Sequence, residues 1–340
     1  MQDNQEARTG NRSRRRKRRN SGRPPETARR HPPSERPVRG PSGRDSRRLA
    51  LPAEEPGTFR VLYLFPEGNR PPAWSEVERA LWGLETIRLE EGSEAAGLPR
   101  FRYFNPDTRV EAFFCGYVPE EPDEVGLAFE MPQPRPDHFA HEALPLAVQV
   151  ARELRLDVLP PTPEVEGEPL LPTKEALLEA WQHRNTRARA LRARDQGPSP
   201  TCRGDLLELS WEYLTLREDL ERRYGRRGVT VPGIEYVQRR KTGEVLRLCR
   251  WTGLSPSVFP PVDLVYLENP PEPLKTGRIL SADDLSEVAR RWVKDNAQPI
   301  FHRLYLESTP PEGFVELLAG LKSTTMRSYV PVAVEDLEDV

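Results

Sequence analysis

The stretch "HFAHE" sets two imidazoles and a carboxylate, His138, His141 and Glu142, at i, i+3 and i+4. On a helix these positions share one side, where they could hold one metal ion. The order is neither H-E-x-x-H nor H-x-x-E-H. Pro145 would disturb the next turn, and a polar helix start explains the same residues. A nucleophile would have to come from Cys115, Cys202 or Cys249, whose spacings are far too wide for paired metal ligands. Cys115 lies among Phe113, Phe114 and Tyr117, which predicts a buried thiol, and Cys249 reads the same way. His302, in "IFHRLYL", could face core or solvent. A Cys–His pair stays open, because partners in space need not be neighbours in sequence. The G-x-G-x-x-G, P-loop and G-x-S-x-G motifs are missing. No cofactor is expected.

"NRSRRRKRRN" carries a second chemistry. Arg12, Arg14, Arg15, Arg16, Lys17, Arg18 and Arg19 would bind phosphates through counterion release, without reading sequence. No aromatic residue interleaves them, so base stacking is not expected. A targeting address, a solubilising tail and an overextended reading frame compete with polyanion binding. Two further basic clusters lie inside the chain. Arg184, Arg187, Arg189, Arg192 and Arg194 form one, and Arg222, Arg223, Arg226 and Arg227 the other. Each falls near a predicted helix end, where cations suit the dipole.

The net charge of −2 conceals a division. Residues 1–50 hold 16 Lys and Arg against 5 Asp and Glu, and the remainder holds 35 against 48. A basic leader on an acidic body follows. Leader and body attract at low salt, which predicts that the arm rests on the body or on the terminal "EDLED". Three cysteines, an odd number, point to a reducing, cytoplasmic setting. No apolar run approaches the ~20 residues of a bilayer span.

The elements that must position these groups read as α+β: two small mixed domains with mainly antiparallel sheets and a helical hairpin between them. Residues 1–57 are too poor in apolar side chains to offset the entropy of ordering, and are expected to be a disordered basic arm. Residues 58–159 form the first domain. "FRVLYLF" reads as a strand apolar on both faces. "PAWSEVERALWGL" reads as a helix with Ser75 and Glu78 spaced as a capping box. "FRYF" and "VEAFFCGYV" flank the turn "NPDT", "VGLAFEM" is a half-buried strand, and a helix runs from about 137 to 156 with a kink or restart at Pro145. Residues 160–173 form a Pro-rich linker and 174–225 the hairpin, whose apolar seams pack on a neighbouring domain or on a second copy. Residues 226–340 form the second α+β domain, with a "KTG" hairpin, the helix "SADDLSEVARRW" and an acidic C-terminal tail.

The whole suggests a non-catalytic binding or adaptor protein: an acidic body that engages a protein partner, and an arm that contacts nucleic acid or another polyanion. An immunity or antitoxin protein that neutralises a basic partner is the first alternative. A hydrolase or transferase built near His138–Glu142 is the second. No membrane association is expected, and the sequence sets no oligomeric state.

Overall fold

A computed structural model describes residues 57–84, 86–91, 98–160 and 171–340. All of them belong to the compact unit 48–340. The polyanion candidates Arg12, Arg14, Arg15, Arg16, Lys17, Arg18 and Arg19, most of the linker and the arm up to residue 56 lie outside the described residues. The described residues fold as α+β, with seven α-helices and several mostly antiparallel sheets.

The first half contains β1 (Thr58–Leu64), α1 (Trp74–Trp82), β2 (Ile87–Leu89), β3 (Arg100–Phe104), β4 (Glu111–Gly116), β5 (Glu124–Pro132), α2 (Asp137–Leu154) and β6 (Asp157–Leu159). Its strands make one antiparallel sheet in the order β2-β3-β4-β5-β1-β6. Strand β1 is interior, as its two apolar faces require. Phe59, Val61 and Tyr63 enter the main core, and Leu62 and Leu64 join a small cluster with Ala128 and Leu159 on the other face. Strand β5 follows suit. Phe129 and Met131 are buried in the main core, and Ala128 beside them is buried too, so β5 is more enclosed than a half-buried strand. Helix α1 starts at Trp74, behind Ala73. Only the glutamate half of a capping box is made, by Glu76 accepting from the Ala73 amide at 2.7 Å. Glu78 instead accepts from Trp74 Nε1 at 2.9 Å.

Helix α2 runs unbroken through Pro145, with no restart. Pro145 is exposed, so its missing N–H falls on the solvated side of the helix, where the freed carbonyl can bond water. On the other side Phe139, Ala143, Leu144, Ala147, Val150 and Ala151 are buried. The alanines among them let α2 sit close on the sheet while α1, α3 (Lys174–Gln196) and α4 (Gly204–Thr215) pack around it. Trp181 of α3 enters the same core, edge-on to Phe59 at 5.5 Å. The second helix of the predicted hairpin is interrupted at Leu216, which joins α4 to α5 (Arg217–Tyr224). Gly228, at φ 71°, then stops the short helical turn that follows α5.

The second half adds β7 (Thr201–Cys202), β8 (Glu235–Arg239), β9 (Val245–Thr252), β10 (Ser257–Phe259), β11 (Leu264–Glu268), β12 (Arg278–Ser281), α6 (Ala282–Val288), β13 (Val293–Asn296), β14 (His302–Tyr305), α7 (Phe314–Gly320), β15 (Ser323–Thr325), β16 (Tyr329–Val332) and β17 (Glu338–Asp339). One sheet has the order β15-β12-β11-β9-β8-β16, with β9 and β11 its one parallel pair. A three-stranded antiparallel sheet has the order β10-β14-β13. Trp251 anchors an aromatic core, 4.9 Å from Phe259 and 5.1 Å from Tyr305 between ring centres. The main core of the first half continues into Tyr236, Val245, Val334 and Leu337.

The acidic C-terminal segment is folded in. Strand β17 pairs in parallel with β7, and the Glu338 amide donates to the Pro200 carbonyl at 3.0 Å. Its carboxylates meet arginines of the body. Glu335 pairs with Arg109 at 3.1 Å, Asp336 with Arg192 at 3.0 Å, and Asp339 with Arg189. Asp339 Oδ2 also accepts from the Asp137 amide at 3.0 Å, and so supplies the cap that Pro136 cannot give to α2. Burial and the neighbouring Asp339 raise the Asp137 carboxyl pKa above its usual value. Asp339→Ala is therefore expected to destabilise the protein by about 1–3 kcal/mol, from the lost cap and from the loss of one of the two carboxylates, Asp339 and Asp137, that Arg189 contacts. Asp195→Ala, at an exposed pair, should stay within about 0.5 kcal/mol. Urea midpoints of the two variants give the comparison.

Candidate functional site

Helix α2 carries all three residues of "HFAHE", and the structure gives them three separate tasks. His138 is turned into the core, 5% exposed, with its ring centre 4.9 Å from that of Phe139. Its Nδ1 is buried without a hydrogen-bond partner among the described residues. Burial, reinforced by the charge of His141, pulls its pKa down to about 3, so it is a neutral core side chain at ordinary pH. His141 is half-buried and edge-on to Trp211, with ring centres 6.1 Å apart.

Glu142 points toward the β3–β4 turn. Its Oε1 accepts from Tyr103 Oη at 2.7 Å, Asn105 Nδ2 at 2.9 Å and Thr108 Oγ1 at 2.9 Å. Its Oε2 accepts from Trp211 Nε1 of α4 at 2.6 Å. A carboxylate has about four acceptor sites, and here four donors are engaged. The turn is built to deliver them. Asn105 Oδ1 accepts from the amides of Asp107 (3.0 Å) and Thr108 (3.4 Å), the side-chain turn that an Asn-Pro-Asp sequence favours. Asp107 in addition pairs with Arg217 of α5. Burial and the Glu142 charge together push the Tyr103 phenol pKa well up, so it remains a donor.

The three metal candidates are thus not brought together as a ligand set, since His138 faces the core and the oxygens of Glu142 are occupied. Among the described residues no three His, Cys, Asp or Glu side chains are arranged to hold a metal ion. Two of the thiols, Cys202 and Cys249, are buried. Cys249 is 1% exposed, and burial pushes it up to about 12. Cys115 departs from expectation. Phe114 takes the core side of β4, which leaves Cys115 half-buried on the other face, donating to Glu130 Oε2 at 3.3 Å. Burial and the Glu130 charge push that thiol up to about 12 as well. His302 faces the core, with 0% exposure. Its Nδ1 lies 2.7 Å from the Ile300 carbonyl, and Nε2 lies 3.2 Å from Asn296 Nδ2 and 3.5 Å from Tyr224 Oη. Donation by Nδ1–H leaves Nε2 as an acceptor for Asn296.

The four donors to Glu142 escape a sequence reading because Tyr103, Asn105, Thr108 and Trp211 are spread over 109 positions and share no motif. "NPDT" marks the turn, but nothing in it names the carboxylate that the turn faces.

No protein-family model, no curated protein and no solved structure matches this chain.

Two outcomes are expected. Glu142→Gln presents an amide N–H₂ to one of the four donors, and should cost about 3 kcal/mol in urea unfolding, against about 1 kcal/mol for Tyr103→Phe. His138 sets an acid sensitivity. Its pKa falls from 6.5 in the unfolded chain to about 3 in the folded one. Between those values the unfolded chain holds a proton that the folded chain lacks, so stability falls as pH drops through the window. His138→Leu should flatten that slope, which urea midpoints between about pH 7 and about pH 4 will measure.

Proposed function

We propose that this chain is a non-catalytic binding protein. Its folded, acidic body engages a protein partner, and its arginine-rich leader contacts nucleic acid or another polyanion without sequence choice. The observation that supports this reading over a hydrolase or transferase near His138–Glu142 is the state of Glu142. Both its oxygens are engaged, Oε1 by Tyr103, Asn105 and Thr108 and Oε2 by Trp211, and the imidazole of His138 on the same helix is buried in the core. Proton transfer needs a group within reach of a substrate, and this carboxylate is committed to the protein.

The excess of acid over base in residues 51–340 favours a partner with a basic surface, because opposite potentials speed encounter and suppress wrong partners. The leader supplies the other contact. Its cations lie close together, so each neutralised phosphate steepens the loss of affinity with salt. Among the described residues no helix is long and apolar enough to cross a membrane.

Retention of the full chain on immobilised double-stranded DNA should fall steeply between about 50 and about 200 mM salt. Replacing Arg14, Arg15, Arg16 and Lys17 by Gln should remove most of it and lower the salt slope by about four. Retention unchanged by those four substitutions would overturn the role given to the leader.

A further inference from the structure

A second polar feature lies away from Glu142. Helix α3, the Pro134–Arg135 turn and the C-terminal segment enclose an open cleft of about 550 Å³, a size typical of small-molecule sites. Arg184, Arg187 and Leu191 fall on one face of α3 at i, i+3 and i+7, and all three line the cleft. Arg135 lines it from the turn and Arg192, next to Leu191 on α3, lines it too, with Asp195 and Asp336 as its acids. Both acids already have partners: Asp336 pairs with Arg192 at 3.0 Å, and Asp195 with Arg194 at 2.9 Å.

Arg135 and Arg187 are different. Arg135 Nη1 donates to the carbonyl oxygens of Pro134, at 2.9 Å, and Glu335, at 3.3 Å, with no carboxylate in ion-pair contact among the described residues. Asn185, 1% exposed, fixes the backbone beneath it, accepting from the Arg135 amide at 3.0 Å and donating to the Arg135 carbonyl at 2.7 Å. Arg189 donates to that same carbonyl at 3.0 Å. The Arg135 guanidinium is therefore held in place without a carboxylate of its own. Burial lowers its pKa even with Glu335 and Asp336 nearby, a cost that a bound anion offsets. Arg187 is exposed and makes no ion pair among the described residues.

We infer that this cleft binds the terminal phosphate of a small phosphate monoester, with Arg135 and Arg187 as its principal ligands. The charges match: such a group carries about −1.5 to −2 near neutral pH, against two guanidiniums without ion-pair partners. So does the geometry of recognition, because the guanidinium fork presents paired donors to phosphate oxygens. Pro134, Ala188 and Leu191, the last 41% exposed, give the organic part of the ester an apolar wall.

The test is titration of the full chain, at constant ionic strength, with inorganic phosphate and separately with phenyl phosphate, read by arginine side-chain N–H resonances. Saturable binding is expected, tighter for phenyl phosphate. Arg187→Ala should weaken it about tenfold, the worth of one hydrogen bond to a charged group, without lowering the thermal midpoint in chloride. A chain with Arg14, Arg15 and Arg16 replaced by Gln should bind phenyl phosphate as well as the native one, which separates the cleft from the leader. Non-saturating shifts, equal affinity for the two probes, an unaffected Arg187→Ala variant, or loss of binding in the leader variant would each overturn the assignment.

Discussion

A carboxylate drawn partly out of water must recover hydrogen bonds from the protein, and that requirement organises the region around α2. Glu142 recovers four of them, three from the β3–β4 hairpin and one from α4. The bonds tie a hairpin, the central helix and a helix remote in sequence into one arrangement. A shift of any one leaves a donor or an acceptor unpaired, at a cost of about 1–3 kcal/mol each. Apolar packing holds α2 on the sheet, but packing tolerates small displacements. The carboxylate sets direction, because its partners must arrive at hydrogen-bond distance from different sides.

The ends of α2 and α3 obey the same rule with charges of opposite sign. Asp339 caps α2 and pairs with Arg189, while Asp336 holds Arg192 and Glu335 holds Arg109. Much of the acidity of the C-terminal segment is thus taken up within the body. The segment expected to attract the leader is already engaged by arginines of the fold. Exposed pairs of this kind contribute little singly, but Arg189 and Asp339 are largely shielded and joined to a cap, where the loss of one partner costs more. Within the α3 cleft, Arg135 and Arg187 are the two guanidiniums that make no ion pair among the described residues, whereas Arg192 is held by Asp336.

The groups that looked reactive share a structural fate. His138 and His302 are enclosed, and the thiols of Cys115 and Cys249 are kept protonated by burial and by nearby carboxylates. Low dielectric suppresses the charged form of each, and so the nucleophilic one for a thiol. The charge distribution stands beside these enclosed groups: a basic leader, an acidic body and an arginine-lined cleft.

Local features are legible in the residues alone. Alternation and helical spacing identified β1, the β3–β4 and β8–β9 hairpins and α6, because period and turn chemistry are properties of neighbouring residues. Ser281 and Asp283 are both possible caps of α6 by residue type, and the fold uses Ser281, whose Oγ accepts from the Asp284 amide at 3.3 Å. Tertiary structure alone decided what each polar residue faces. "HFAHE" looks the same whether its side chains converge on a metal or diverge into core, ring edge and hydrogen-bond hub. The choice is made by Tyr103, Thr108 and Trp211 arriving from distant positions. The terminal acids and the arginines of α3, about 150 residues apart, likewise find each other only when α3 lies beside α2 and the chain end returns to β7. Local pattern encodes which face of an element is apolar; the partner of a buried charge depends on how the elements are stacked, and stacking is a property of the whole chain.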